Sequence, residues 1–262
     1  MTLTTRTLDV LATFRPGPHR RQTLLQIAQE CGLPMTTCHR IVHDLLDWGA
    51  LERTDDGYLH VGLRLWEIGA LAPRGNALRD LALPVLEDLY VATRENVQLA
   101  VREELEAVFV ERLTGDRAVP VMTQVGARFP LPSTGVGRAL LAFAPADVQD
   151  AALAQPVRRW TDDTTTDPSA IRALLAETRR TKVAISRREV TANAASVAAP
   201  VFGIRNEVVA AVSVVFDADN GPPINAMVPV VVAASRSISR ALGAAMDGLD
   251  MRKAVASGAP PS

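Results

Sequence analysis

The chain has 262 residues, 48% of them hydrophobic and 4% aromatic, with a formal net charge of −1 at pH 7. That length accommodates one domain of about 60 residues and a second of about 170. Two cysteines make no disulfide framework, no apolar run approaches the roughly 20 residues that cross a bilayer, and no cationic segment with an apolar core opens the chain, so a cytoplasmic protein without membrane partners is expected.

In chain order, Leu8, Leu11 and Ala12 give a first helix one apolar face. Arg15, His19, Arg20 and Arg21 cluster before Thr23, where basic side chains can meet a phosphate backbone. Thr23 caps a second helix carrying Leu24, Leu25, Ile27 and Ala28, and Gln26 stands at the spacing of a capping box. Gly32 suits a left-handed cap, Leu33 is turned from helical geometry by the following proline, and Pro34 fits the first turn of the next helix. Met35–Trp48 then places Cys38, Ile41, Val42, Leu45 and Leu46 on one stripe at helical spacing. The opposite face carries Thr36, Arg40, His43, Asp44 and Asp47, with Thr37 and His39 at the flanks. Strands at 51–53 and 58–61, joined through Asp55, Asp56 and Gly57, make a hairpin, because glycine takes a positive φ at low cost.

Helix, turn, helix and hairpin in that order predict a winged helix-turn-helix domain at 1–65, whose second helix reads double-stranded DNA with its N-terminal residues. Thr36, Thr37, His39, Arg40 and His43 are the candidate contacts on that helix, with Arg20 and Arg21 on the DNA backbone. Eight arginines balance eight acidic residues over 1–78, so affinity has to come from placement and from two half-sites rather than bulk charge. Cys31, Cys38, His39 and His43 lie within thirteen residues. The gap between the cysteines is nevertheless wider than in zinc-finger pairs, and Cys38 and His43 fall on nearly opposite faces, so free thiols and no metal or cofactor are expected.

A linker at 66–78, through Pro73 and Gly75, leads into a helix at 78–93 with Leu81, Val85, Leu89 and Ala92 on one side. Apolar alternation at 97–101, 108–112, 184–187, 196–202 and 208–216 predicts strands, and 138–143, 171–182 and 227–242 read as helices. This is an α+β domain at 79–250 with a mostly antiparallel sheet, followed by a disordered tail at 251–262 containing Gly258, Pro260 and Pro261. The run Leu-Pro-Ser-Thr-Gly-Val-Gly at 131–137 precedes a helix, so N–H groups freed by glycines are expected to converge where a carboxylate or phosphate is favoured. A plain capping loop accounts for the same residues, and the third glycine and parallel unit of a dinucleotide site are missing.

The stretches LLQIAQECGLPMTTCHRIVHDLLDWGALER and GYLHVGLRLWEIG, then FPLPSTGVGRALLA and SVAAPVFGIRNEVVAAVSV, resemble the IclR family of bacterial transcription regulators across nearly the whole chain. The resemblance implies a winged helix-turn-helix domain joined by a linker helix to a GAF-like α/β effector-binding domain. It also implies a regulator, a repressor, whose hold on a pseudo-palindromic operator is modulated by a small organic effector, a carboxylate, and which assembles as a homodimer or homotetramer. The effector positions it carries over are Thr134, Gly135, Val136, Gly137, Asn193, Ser196 and Ser213. Pro132 stands where the family often has histidine, Asn193 where it has glycine and Ser196 where it has cysteine, so the ligand can differ from the small acids of relatives.

All four histidines, at 19, 39, 43 and 60, fall in the first sixty residues, so the larger domain holds no Ser-His-Asp triad. The chain's only lysines are Lys182 and Lys253, and Lys182 near a helix end has a structural use. No catalytic residue is expected. The alternatives are a hydrolase or transferase using the loop of Thr134, Gly135, Val136 and Gly137 as an oxyanion or phosphate cradle, and a scaffold whose winged helix contacts only protein.

Overall fold

The computed structural model describes residues 2–15, 20–115 and 118–243, with the backbone alone at 73–76. His19, residues 244–250 and the tail expected at 251–262 lie outside the described residues. The chain divides into two compact units between Asn76 and Ala77.

The first unit runs α1 (Leu3–Ala12), β1 (Arg21–Gln22), α2 (Leu24–Cys31), α3 (Met35–Trp48), β2 (Leu51–Arg53), β3 (Leu59–Val61) and α4 (Leu63–Gly69). Local chemistry fixes its turns. The Gln26 amide donates to Thr23 Oγ1 at 3.3 Å and the Thr23 amide donates to Gln26 Oε1 at 2.8 Å, so two N–H groups that α2 cannot satisfy internally are satisfied reciprocally. Gly32 ends the helix at φ 61°. Pro34 occupies the cap of α3, one place before the expected first turn, with extended ψ of 139°. Cys38, Ile41, Val42 and Leu45 pack with Val10, Ile27, Leu51 and Leu59 into the core, while Leu46 is only half-buried. Strand β1 escapes a reading by periodicity because it has only two residues. It pairs Arg21 with His60 and Gln22 with Leu59, giving a sheet of order β1-β3-β2.

The second unit comprises α5 (Pro73–Thr93), β4 (Asn96–Glu103), β5 (Glu106–Leu113), β6 (Arg128–Pro130), α6 (Gly135–Leu141), α7 (Ala146–Ala154), α8 (Pro168–Thr181), β7 (Ala184–Arg187), β8 (Ala194–Phe202), β9 (Val208–Asp217) and α9 (Ile224–Ala241). Helix α5 starts at Pro73 rather than at 78, since proline's missing N–H costs nothing in a first turn. Together with α4 this makes the stretch expected as a linker mostly helical. The six strands form one antiparallel sheet of order β6-β5-β4-β9-β8-β7.

Alternation along the strands feeds two cores. On one face Val97, Leu99, Val197, Val212 and Val214 meet Leu86 of α5 and Val228, Val231 and Ile238 of α9. On the other, Phe109, Ala198 and Ala211 meet Leu140 of α6, Leu153 of α7 and Ile171 of α8. Each such valine, leucine, isoleucine or phenylalanine, once fully buried, contributes about 1.5–3 kcal/mol relative to exposure. Buried Glu111 accepts from Arg79 Nε at 2.6 Å, and Ser235 and Ser239 of α9 bond to the backbone of Pro200 and Phe202 at the end of β8. A β-bulge interrupts the β4–β5 ladder: Leu99 pairs with Glu111 but Ala100 pairs with Phe109, leaving Val110 as the extra residue. Phe109 and Arg112 thereby share the α6 face, and Glu111 turns to α5. Among the described residues no helix is long and apolar enough to cross a membrane.

Candidate functional site

Helix α3 presents two faces of opposite character. Its apolar stripe is buried, whereas Thr36, His39, Arg40 and His43 are exposed and Thr37 is half-buried. Arg40 makes no ion pair or hydrogen bond among the described residues, so its guanidinium is available to a groove. His43 is engaged: its Nδ1 lies 2.9 Å from Asp47 Oδ2, and its ring centroid 6.4 Å from that of His39.

The two arginines expected on the DNA backbone differ. Arg20 is exposed, but Arg21 is held by the hairpin, with Nη1 3.3 Å from Asp56 Oδ2 and the guanidinium 5.0 Å from the Tyr58 ring centroid. The hairpin turn closes through Thr54 and Tyr58, with Gly57 at φ 86°. A hydrogen bond from the Thr54 hydroxyl, aided by Arg21, holds the Asp56 carboxyl below the usual carboxylate range.

The cysteines and histidines do not converge. Cys38 is fully buried with Sγ 4.0 Å from the Leu24 carbonyl oxygen, and burial raises both its thiol and that of Cys31. Among the described residues no group of three or more His, Cys, Asp or Glu side chains is placed to hold a metal ion. Beyond the hairpin, α4 and the residue pair after it expose Leu63, Trp66, Ile68 and Leu71, the last at 79% of its surface. Their neighbour Arg64 stacks over Trp48 at 4.4 Å and donates to its carbonyl oxygen.

In the second unit a cavity opens between the sheet and the first turn of α6. Strand register lays out its floor: Ser186, Ser196 and Val215 form one cross-strand row, and Ser213 and Gln98 sit side by side in the next. Thr134, Gly135, Val136, Ser196 and Ser213 all line the cavity. Gly137 and Asn193 do not. Asn193 is exposed and its carbonyl oxygen accepts from the Ala218 amide, while Gly137 is packed behind the lining.

The loop expected at 131–137 is a correction in its own right. Thr134 is the N-cap of α6, its Oγ1 accepting from the Gly137 amide at 3.0 Å, so both glycines lie inside the helix and one of the supposedly free N–H groups is used. Packing explains why glycine is tolerated there despite its poor helix propensity. A Cβ on Gly137 would sit 2.2 Å from the Leu131 carbonyl oxygen, and one on Gly135 would sit 2.7 Å from Ser196 Oγ.

Reading the sequence missed Gln98, Phe109, Val121, Thr123 and Glu189, all of which line the cavity. Gln98 Nε2 donates to Thr123 Oγ1 at 2.5 Å, and Arg112 Nη1 donates to the Thr123 carbonyl oxygen at 2.8 Å. The connection between β5 and β6 is thus strapped across the sheet, with Asn96 Nδ2 adding a bond to the Val119 carbonyl oxygen at 2.8 Å. Glu189 is the one charged residue of the lining, and it is paired. Arg138, 1% exposed, forms a two-pronged ion pair with it and donates from Nε to the Pro132 carbonyl oxygen at 3.0 Å. The Thr165 amide donates to the same carboxylate at 3.2 Å. The cavity wall is therefore neutral overall: hydroxyls and an amide around Phe109, Val121, Val136, Val190 and Val215. Among the described residues Ser213 Oγ, in a residue 1% exposed, has no hydrogen-bond partner.

Residues 4–55 match the family model of the IclR helix-turn-helix domain, and residues 74–240 match that of the bacterial transcriptional regulator IclR C-terminal domain. The chain is 30% identical to the HTH-type transcriptional regulator KipR of Bacillus subtilis over 73% of its own length and 77% of that protein. It is 30% identical to the glycerol operon regulatory protein of Streptomyces coelicolor, covering 87% and 91%. Among solved structures, an IclR homolog from Microbacterium hydrocarbonoxydans complexed with 4-hydroxybenzoate superimposes with a TM-score of 0.85 at 34% identity, over 92% of this chain and 99% of that one. These relatives are regulators rather than enzymes, which overturns the hydrolase or transferase alternative.

Proposed function

Because this chain belongs to the IclR family of bacterial transcriptional regulators, we propose that it is a repressor that binds a pseudo-palindromic operator through the N-terminal part of α3 and releases or tightens its hold when a small organic carboxylate enters the cavity. The observation that carries the reading is Arg40: an exposed guanidinium without a partner among the described residues, one turn along from Thr36 and Thr37, on a helix whose other face buries Cys38, Ile41, Val42 and Leu45. Such a group reads guanine edges or neutralises phosphate.

The acidic half of α3, at Asp44 and Asp47, and the balanced charge of the unit leave little nonspecific attraction, so two copies reading two half-sites supply the affinity. The exposed face of Leu63, Trp66, Ile68 and Leu71 is the surface we assign to pairing in the homodimer. A homotetramer would need a further interface on the second unit. The carboxylate reading rests on the amides of Gly135 and Val136, which begin α6 and have no partner among the described residues, and on Ser196 beside them. It also rests on the relative whose structure is complexed with 4-hydroxybenzoate, a carboxylate.

The test is a titration of the full chain against DNA from upstream of its own gene and against a scrambled duplex, at two salt concentrations. Saturable binding that survives salt better on the upstream DNA is the expected result. Equal, salt-sensitive binding to both would overturn the operator reading for that sequence.

A further inference from the structure

We propose that the connection between β5 and β6, over 120–126, is a strap that swings off the cavity to admit a ligand, and that two hydrogen bonds to Thr123, from Gln98 and Arg112, are its latch. The proposal deepens the effector-binding reading above. As it stands the cavity has a free volume of about 50 Å³, well under the roughly 300 Å³ at which small-molecule sites begin. A wall has to withdraw before an organic molecule enters.

Most of the walls are fixed. The floor is ladder-bonded strand, and every residue of α6 is buried. The connection between β7 and β8 is tied to its surroundings throughout: Arg138 holds Glu189, the hydroxyls of Thr161 and Thr164 donate to the carbonyl oxygens of Arg188 and Glu189, and the Ala218 amide donates to that of Asn193.

The strap is held differently. Among the described residues 119–123 makes no backbone–backbone hydrogen bond. Val119, buried and bonded through its carbonyl oxygen to Asn96, fixes one end, and Gly126, at φ 83° with its amide on the Phe109 carbonyl oxygen, fixes the other. Between them Val121 and Thr123 turn into the lining, while Met122 and Val125 are exposed.

The latch is balanced rather than strong. Gln98 Nε2 donates to Thr123 Oγ1, and Arg112 Nη1 donates to the Thr123 carbonyl oxygen. Arg112 is half-buried with no ion pair among the described residues, and its Nε is buried without a hydrogen bond. The closed strap thus keeps water from a cation that no carboxylate compensates. Opening returns that hydration and offsets the two lost bonds, which brings the open form within reach of the closed one.

The experiment places a thiol under the strap. Ser213, 1% exposed and paired in the sheet with Gln98, is replaced in Ser213→Cys, and alkylation by iodoacetamide is followed by peptide mapping so that Cys31 and Cys38 are read separately. Thr123→Val and Arg112→Met each remove one latch bond, and Thr164→Val removes a tie of the β7–β8 connection instead. The expected result is slow alkylation of the new thiol that rises about three- to tenfold with each latch substitution and stays within about twofold with Thr164→Val. Its rate should also depend far less steeply on urea than global unfolding does. Native-state cleavage of the strap by thermolysin, in chains that keep Ser213, should follow the same order, and it decides the matter where Ser213→Cys does not fold. Alkylation or cleavage that is unmoved by the latch substitutions, raised equally by Thr164→Val, or as steep in urea as global unfolding would overturn the strap. No ligand is added, so that outcome leaves the effector reading untouched.

Discussion

The recognition helix and the cavity solve opposite electrostatic problems. On α3 the group proposed to meet DNA is an exposed charge, Arg40, without a partner among the described residues, and the surrounding acids balance the unit's arginines. In the cavity the charge is matched in advance: Glu189 is held by Arg138, and what remains for a ligand is neutral. The difference teaches that a surface which meets a polyanion can leave a charge in water at little cost, whereas an interior site has to pair its charges first, because an isolated buried ion is far more expensive.

That contrast can be broken at its costliest point. Glu189→Ala should destabilise the second unit by about 3–5 kcal/mol, because it strands Arg138 as an uncompensated buried cation. Urea denaturation would measure it, and a loss below about 1 kcal/mol would show the pair to be hydrated and the cavity not neutral by design. Next comes Gly137→Ala, expected to cost roughly 1–3 kcal/mol through overpacking against the Leu131 carbonyl. Since Gly137 lies behind the lining, its thermal melt should fall before any change in ligand preference among folded molecules.

On the exposed side, Arg40→Ala should leave the melt unchanged and weaken operator affinity by roughly 1–3 kcal/mol, with relaxed preference at one base pair if the contact is to a base and uniform loss if it is to phosphate. Fluorescence anisotropy across a set of single base-pair substitutions separates the two. The smallest effect concerns the hairpin. The folded Asp56 carboxyl titrates below its unfolded value, so its contribution is present above the unfolded value and is lost as pH falls through the folded one. Acidification into the range below ordinary carboxylates should lower the protection factors of the Thr54 and Gly57 amides, measured after the intrinsic slowing of exchange in acid is divided out.

The two regions also differed in how much of them could be read from sequence. Thr23 with Gln26, Gly32, the buried stripe of α3 and the Asp56 and Gly57 turn are local devices, each complete within a few residues, and each is legible for that reason. Thr134, Gly135, Val136, Ser196 and Ser213 came from a resemblance. Gln98 and Ser213 become neighbours only through the pairing of strands 115 residues apart, and Glu189 meets Arg138 across 51 residues. No periodicity encodes such meetings. The early start of α6 was hidden by glycines, which discourage a helix locally and are accepted here because the neighbouring carbonyl and hydroxyl leave no room for a Cβ.

The extra residue at Val110 carries a consequence for how related chains can diverge. It decides which of two consecutive, oppositely charged side chains, Glu111 or Arg112, shares a face with Gln98. Were the ladder regular through Val110, Glu111 would stand opposite Gln98 and Arg112 opposite Val97, bringing a carboxylate to the cavity side of the sheet and turning the guanidinium to the α5 side. Deleting Val110 instead keeps both pairings, so it is the bulge with its extra residue that holds the guanidinium on the cavity side.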